Sequence, residues 1–229
     1  MHFYYDWTII LILPAVILSL WAQSNVNSNF KKYSQVYSRI GLTAAEVTRR
    51  ILDLNGLTNV RIERIAGNLT DNFNPKDNVI RLSDSTYQST SVAAIGVAAH
   101  EAGHAVQYAK GYAPIKVRNS IVPAVNACSV LSLPIVIIGM IFAYPTITHI
   151  GIILFSATVL FQLITLPVEF NASRRALETL ENERILESDE LVGARNVLKA
   201  AALTYIVAAL ASALSLLRLI LISNGRRRG

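Results

Sequence analysis

Two apolar runs stand back to back in this chain: IVPAVNACSVLSLPIVIIGMIFAY, Ile121 to Tyr144, and TITHIGIILFSATVLFQLITLPV, Thr146 to Val168. Each exceeds the roughly 20 residues needed to cross a hydrocarbon core of about 30 Å. Only the few residues around Tyr144 and Pro145 separate them, so they read as a tight transmembrane hairpin. Two more apolar runs lie toward the ends. TIILILPAVILSLWA, Thr8 to Ala22, is short for a bilayer unless the aromatic stretch Phe3 to Trp7 sits in the interface and extends it. It reads as a retained anchor rather than a signal peptide: MHFYYDW carries no lysine or arginine, and no small-x-small cleavage site follows. The fourth run, Val197 to Ser223, opens with the alanine-rich VLKAAALTYIVAALASAL, suited to packing against other helices. Arg218 near its end can snorkel to headgroups.

The bulk composition agrees. With 229 residues, 52% hydrophobic and 16% charged, the chain is more apolar than a soluble domain of this size. The single cysteine, Cys128, excludes a disulfide framework and a cysteine metal cluster. The formal charge of +6 raises the question of nucleic acid. The lysines and arginines, however, flank apolar runs rather than gather with exposed aromatics, so lipid headgroups are the expected counter-charge and no nucleic-acid partner is expected. Lys31, Lys32, Lys110, Lys116, Arg118, Arg174, Arg175, Arg184 and Arg195 would share one side of a four-span arrangement, against Arg226 to Arg228 on the other. The larger set should be cytoplasmic, which puts both termini outside. A fourth run that were only re-entrant would instead bring the terminal arginines inside.

The polar stretch between the first and second runs is long enough for a small domain. LTAAEVTRRILDLNGL opens with Thr43 and Glu46 at capping-box spacing and closes with Gly56, a helix marked at both ends. NVRIERI, Asn59 to Ile65, alternates apolar and polar residues, and NVIRL repeats the pattern after the turn-rich NPKD. These two predict a hairpin or small sheet. SVAAIGVAAHEAGHAVQY, Ser91 to Tyr108, is an alanine- and glycine-rich helix, apolar all round, that must be buried. Small residues at Ala94, Ala98, Ala102 and Ala105 would let neighbouring helices approach.

That helix carries the chemistry. His100 and His104 are one turn apart on one face, so their imidazoles can take adjacent corners of a zinc tetrahedron. Glu101 lies beside them. This is the zincin arrangement, in which water is acidified at a metal and the glutamate takes its proton during attack on a peptide carbonyl. The spacing could arise by accident, but with four histidines in the chain such a match is expected roughly a few times in a thousand. Burying two imidazoles and a carboxylate in so apolar a helix is also costly without a shared partner. The third ligand must be another His, Asp or Glu. His2 and His149 fall on the far side of the membrane, whereas Glu169, in LPVEFNASRRALETLE, directly follows the third span. A glutamate there could be a solvated flank, but Pro167, Val168 and Phe170 surround it and basic residues begin only at Arg174.

AAHEAGHAVQ, combined with the hydrophobic anchor, KKYSQVYSRIGLTAAEVTRRIL, LPVEFNASRRAL and VLKAAALTYIVAAL, resembles the YugP-type neutral zinc metallopeptidases, membrane relatives of the HtpX-type gluzincins, over nearly the whole chain. The resemblance implies a zinc endopeptidase with His100, His104 and Glu169 as ligands to one Zn2+ ion and Glu101 as general base. HtpX-like proteins usually continue the third-ligand motif as Glu-x-x-x-Asp. Here Ser173 stands at the last position, with Asn171 between, and either could orient a ligand by hydrogen bonding, more weakly than a carboxylate. An oxyanion donor is also needed. Tyr205 and Arg195 are candidates, though Tyr205 could equally be a packed aromatic and Arg195 a headgroup anchor.

The expected whole is a mainly α integral membrane protein with about four transmembrane helices and a small α+β zincin-like cytoplasmic domain. Its segments are an anchor over 1–22, an α+β segment with the HExxH helix over 23–120, the transmembrane hairpin over 121–168, a cytoplasmic helix with the third ligand over 169–196, and a transmembrane or re-entrant helix over 197–229. Zinc at the end of the third span puts the active site at the cytoplasmic face of the bilayer. Zincins commonly bind substrate as an added strand, and Asn78, Val79, Ile80, Arg81 and Leu82 are the natural edge. The expected partner is a polypeptide, most simply a loop or juxtamembrane tail of a membrane protein in quality control or processing; the sequence leaves room for a homo-oligomer. The competing class is a catalytically silent scaffold that keeps zinc for stability, against which an intact Glu101 speaks. A transporter is disfavoured because no charged residue sits mid-span except Arg218.

Overall fold

The computed structural model describes residues 7–225, which leaves His2, most of the stretch Phe3 to Trp7 and the cluster Arg226 to Arg228 outside the described residues. After a 3-10 turn at Trp7–Leu11 come α1 (Ile12–Tyr33), α2 (Ala44–Leu54), β1 (Arg61–Ile65), β2 (Asn72–Asn74), β3 (Val79–Ser83), α3 (Val92–Ala109), α4 (Ala113–Ile141), α5 (Pro145–Asn182) and α6 (Ser188–Gly225). Among the described residues, four stretches are long and apolar enough to cross a membrane: Thr8–Tyr33, Ala113–Ile141, Pro145–Asn182 and Ser188–Asn224. They correspond to the four expected runs and each is longer than its run, although the second ends at Ile141, short of Tyr144. At 38 residues, α5 is about 57 Å long, nearly twice a hydrocarbon core. Its apolar part can span while its last turns project beyond.

The chain divides into two compact units. The first holds the residues up to Ala22, Val117–Leu166 and those from Thr204 onward. Its surface is apolar, with Leu20, Val130, Ile141 and Ile153 among the exposed side chains, as lipid contact requires. The hairpin closes through Ala143 at φ 55°, and glycines let its arms meet. A Cβ on Gly139 would lie 2.5 Å from the Thr148 nitrogen, and one on Gly151 2.7 Å from that of Val136. Arg218 donates from Nε to Thr8 Oγ1 at 3.2 Å, so its headgroup-seeking end has a protein partner.

The second unit comprises Gln23–Lys116 and Pro167–Leu203. In α2 the capping box forms as read: Glu46 N–H donates to Thr43 Oγ1 at 3.3 Å and Thr43 N–H to Glu46 Oε2 at 2.8 Å. Gly56, at φ +71°, ends it by donating to Asp53 O. The two expected strands share a small sheet but do not form a hairpin. The sheet order is β1-β3-β2, with β1 parallel to β3 and β2 antiparallel to it. The turn at NPKD therefore joins β3 to β2 rather than to β1, pairing Phe73 with Ile80 and Asn74 with Val79. The segment NFN is too short to show an alternation that would have disclosed it.

The strand expected to offer a substrate edge lies inside the sheet. Val79, Ile80, Arg81 and Leu82 form the central strand, and Asn78 precedes it at φ 55°. Paired on both sides, this strand has no free edge to lend. Val79, Ile80 and Leu82 are instead core; the edges are β1 and β2.

The core of this unit gathers Leu52 of α2, Ile80 and Leu82 of β3, Ile95 of α3, Leu180 of α5 and Leu198 of α6 around the alanines of α3. Ala94, Ala98, Ala102 and Ala105 are all buried, but the tightest approaches fall at glycines. A Cβ on Gly96 would meet Ala194 Cβ of α6 at 3.3 Å, and one on Gly103 would meet the Ala172 carbonyl oxygen of α5 at 2.8 Å. Absence of a side chain at Gly103 is thus what lets α3 lie directly on α5.

Candidate metal centre

The contact at Gly103 and Ala172 joins the two helices that carry the candidate ligands. His104 follows Gly103 on α3, and Glu169 stands one turn before Ser173 on α5. Glu169 Oε2 is 3.2 Å from His100 Nε2 and 3.5 Å from His104 Nε2. The imidazoles sit edge to face, 82° apart with centroids 4.6 Å from each other. One ligand atom from each of the three residues lies within 4.8 Å of the other two. Two ligands of a tetrahedral zinc with bonds of ~2.0–2.1 Å lie about 3.3 Å apart, so both measured separations suit that ion.

The surrounding hydrogen bonds decide which nitrogens are offered. Gln107 is fully buried; its Oε1 is 3.0 Å from His104 Nδ1, and its amide nitrogen donates to the Val168 carbonyl at 2.8 Å and to Asn171 Oδ1 at 2.9 Å. An amide whose NH2 is engaged by two acceptors turns its oxygen to His104, which must then carry its proton on Nδ1. Ser173 Oγ stands 3.1 Å from His100 Nδ1 and can accept in the same way. Nε2 of His104 is then the nitrogen turned to the Glu169 carboxylate and to any shared metal. Two imidazole nitrogens and a buried carboxylate oxygen at this spacing are the donor types that zinc takes. The donor set therefore fits zinc on this chain's own geometry.

Glu101 is buried on the same helix without joining the three donors. Burial pushes its carboxyl up to about 7; His100 opposes the rise, Glu169 and Asp71 add to it, and the Phe73 backbone N–H of β2 donates to it. A carboxyl so placed can both hold and yield a proton near neutrality.

Of the other candidates, Ser173 contacts a histidine directly, whereas Asn171 reaches His104 only through Gln107. Arg195 is exposed on α6 and, among the described residues, makes no hydrogen bond or ion pair to the three donors. Tyr205 is half-buried in the first unit, whereas the three donors belong to the second. Two residues escaped the sequence reading. Gln107 follows His104 by three positions and shares its helix face, a signal available once the helix was placed. Arg175, whose Nε donates to Asn171 Oδ1 at 2.8 Å, gave no such cue beyond its spacing of four from Asn171.

The comparisons with known proteins agree with this chemistry. The family described as "Putative neutral zinc metallopeptidase" matches residues 8–224. The chain is also similar to "Putative membrane protease YugP" of Bacillus subtilis (strain 168), at 48% identity over 219 residues, covering 95% of this chain and 97% of that protein. No solved structure matches it. With three donors gathered at zinc spacing, four helices among the described residues able to cross a membrane and a family match over nearly its full length, the chain belongs to the neutral zinc metallopeptidase family, as a membrane member of it.

Proposed function

We propose that this protein is an integral-membrane endopeptidase in which His100, His104 and Glu169 hold one zinc ion, Glu101 is the general base, and the site faces the cytoplasm at the bilayer surface. The observation that carries the catalytic part is the placement of Glu101: a buried carboxyl on the same helix as His100 and His104, beside a donor set that does not use it. A purely structural site has no need of it. Zinc, when bound, supplies the Lewis acidity that polarises a peptide carbonyl and acidifies water. Glu101 takes the proton that the attack releases and returns it to the departing amine. The lysines and arginines flanking the spans support the cytoplasmic side.

The edge strand β2 is the better candidate for an added substrate strand now that β3 is central. Phe73 of β2 already reaches Glu101 through its backbone, so a peptide aligned there would lie beside the base. An extended segment is required, which favours a loop or an unfolded juxtamembrane tail of a membrane protein, in quality control or processing. The test is Glu101→Gln in purified full-length protein, assayed on a reporter membrane protein and by metal analysis. Cleavage should fall by about 10²–10⁴-fold with zinc retained. Undiminished cleavage by the zinc-loaded variant refutes the assignment.

A further inference from the structure

An imidazole can carry its proton on either nitrogen and a carboxamide can turn either end to a partner, so His104 and Gln107 alone do not determine which atom His104 offers a metal. The neighbouring side chains do. Arg175 has only donors, and its Nε lies 2.8 Å from Asn171 Oδ1. That contact forces the oxygen of Asn171 to face it. The same oxygen accepts from Gln107 Nε2 at 2.9 Å, and the Val168 carbonyl, which can only accept, takes a second bond from that nitrogen at 2.8 Å. Gln107 must then present Oε1 to His104 Nδ1, 3.0 Å away.

We propose that Arg175, Asn171 and Gln107 form a relay of fixed polarity that sets His104 in its metal-ligating tautomer and locks α3 to the turn of α5 that bears Glu169. All three are positioning residues, since only His104 touches the metal. The relay rests on the ligand set proposed above. It goes further by making the metal affinity depend on Arg175, three side chains from the ion. Gln107 is fully buried, so water cannot replace its oxygen if it is lost. Val168 immediately precedes Glu169, so the same amide that orients one ligand also holds the backbone beside another. This coupling is why a neutral amide suits the position: a carboxylate would accept from His104 but would repel the Val168 carbonyl and Asn171 Oδ1 instead of donating to them.

The test uses full-length protein in detergent, with zinc affinity from chelator competition and the visible absorption of the Co2+-substituted form as a readout of ligand geometry. Gln107→Met keeps the volume and removes the amide; it should weaken zinc by about 10- to 100-fold and alter the cobalt bands. Arg175→Met should weaken zinc in the same direction by a smaller factor, and Arg175→Lys, still donor-only, should restore the wild-type value. In the Gln107→Met background Arg175→Met should cost nothing more. Additive losses, or wild-type affinity and cobalt bands in Gln107→Met, overturn the relay. Arg175 is half-buried at the outer end, so Arg175→Met and Arg175→Lys decide the matter even if Gln107→Met fails to fold. His104→Ala is measured alongside: zinc lost there but unchanged in Gln107→Met refutes the relay alone, whereas zinc retained in His104→Ala refutes the ligand set.

Discussion

Gly103→Ala is the sharpest probe of how the two ligand-bearing helices meet. The added Cβ would lie 2.8 Å from the Ala172 carbonyl oxygen and 3.4 Å from its carbonyl carbon and Cα. Even a close C···O contact needs about 3.3 Å, so α3 and α5 must part locally by roughly 0.5 Å. These are backbone atoms, and no side chain can swing aside to absorb the change. Such overpacking costs about 1–3 kcal/mol, but alanine is the better helix former by about 1 kcal/mol. The two effects partly cancel, and a melting curve of the metal-free protein should move little. The metal site has no such compensation. His104 is the next residue on one helix and Glu169 stands three before Ala172 on the other, while metal–ligand distances tolerate only about ±0.2 Å. A displacement of about 0.5 Å should therefore appear as weaker zinc binding, by roughly 5- to 150-fold if the 1–3 kcal/mol is expressed there. Chelator competition on purified full-length protein measures it, with Gly96→Ala as the control. There the new Cβ meets Ala194 of α6 no closer than 3.3 Å at Cβ, 3.4 Å at Cα and 3.7 Å at the carbonyl oxygen, ordinary or only slightly tight contacts on a helix that carries none of the three donors, and affinity should stay near wild type. Wild-type affinity in Gly103→Ala would refute the reasoning, because α5 would then not be held to α3 at the distance the ligands require.

Two further substitutions divide the site. Glu169→Ala removes the carboxylate that both histidines face and should lower zinc affinity by more than the about 10- to 100-fold typical of outer partners; equilibrium dialysis reads it, and undiminished binding would move the third ligand elsewhere. Ser173→Ala deletes the hydroxyl at His100 Nδ1 and should sit near the lower end of that range, about 10-fold, by chelator competition.

What the sequence disclosed and what it hid differ by the range of the interaction. The capping box at Thr43 and Glu46, the burial of α3 and the facing of His100 and His104 are local, set within one or two turns, and all were legible. The four apolar runs were legible too, because a bilayer demands length and composition and nothing finer. Glu169 could be singled out through its apolar neighbours, although it is 69 positions from His100. The sheet order was not legible: β1 and β3 each carry the alternation of a half-buried strand, and alternation does not say which neighbour a strand takes. β1 pairs with β3 in parallel rather than as a hairpin, and the three residues of β2 cover the other side of β3, which removes the expected substrate edge. Gln107 was overlooked because two of its partners, the Val168 carbonyl and Asn171, lie 61 and 64 positions away on α5.

The hydrogen-bond partners of the histidines also make electrostatic sense as a set. The buried centre already contains two carboxyls, Glu101 and Glu169. A carboxylate at position 107 or 173 would add a further negative charge to a site largely removed from water, and such a charge is expensive to bury. A glutamine and a serine can each place an acceptor oxygen at a histidine Nδ1 while adding no charge. Arg175 stands at the far end of the frame, bonded to the neutral Asn171. There it can set the direction of the hydrogen bonds without competing with a metal ion for Glu169. On this reading Ser173, which looked like a weakened version of an acidic motif, is matched to a site whose remaining carboxyl must stay available to move a proton.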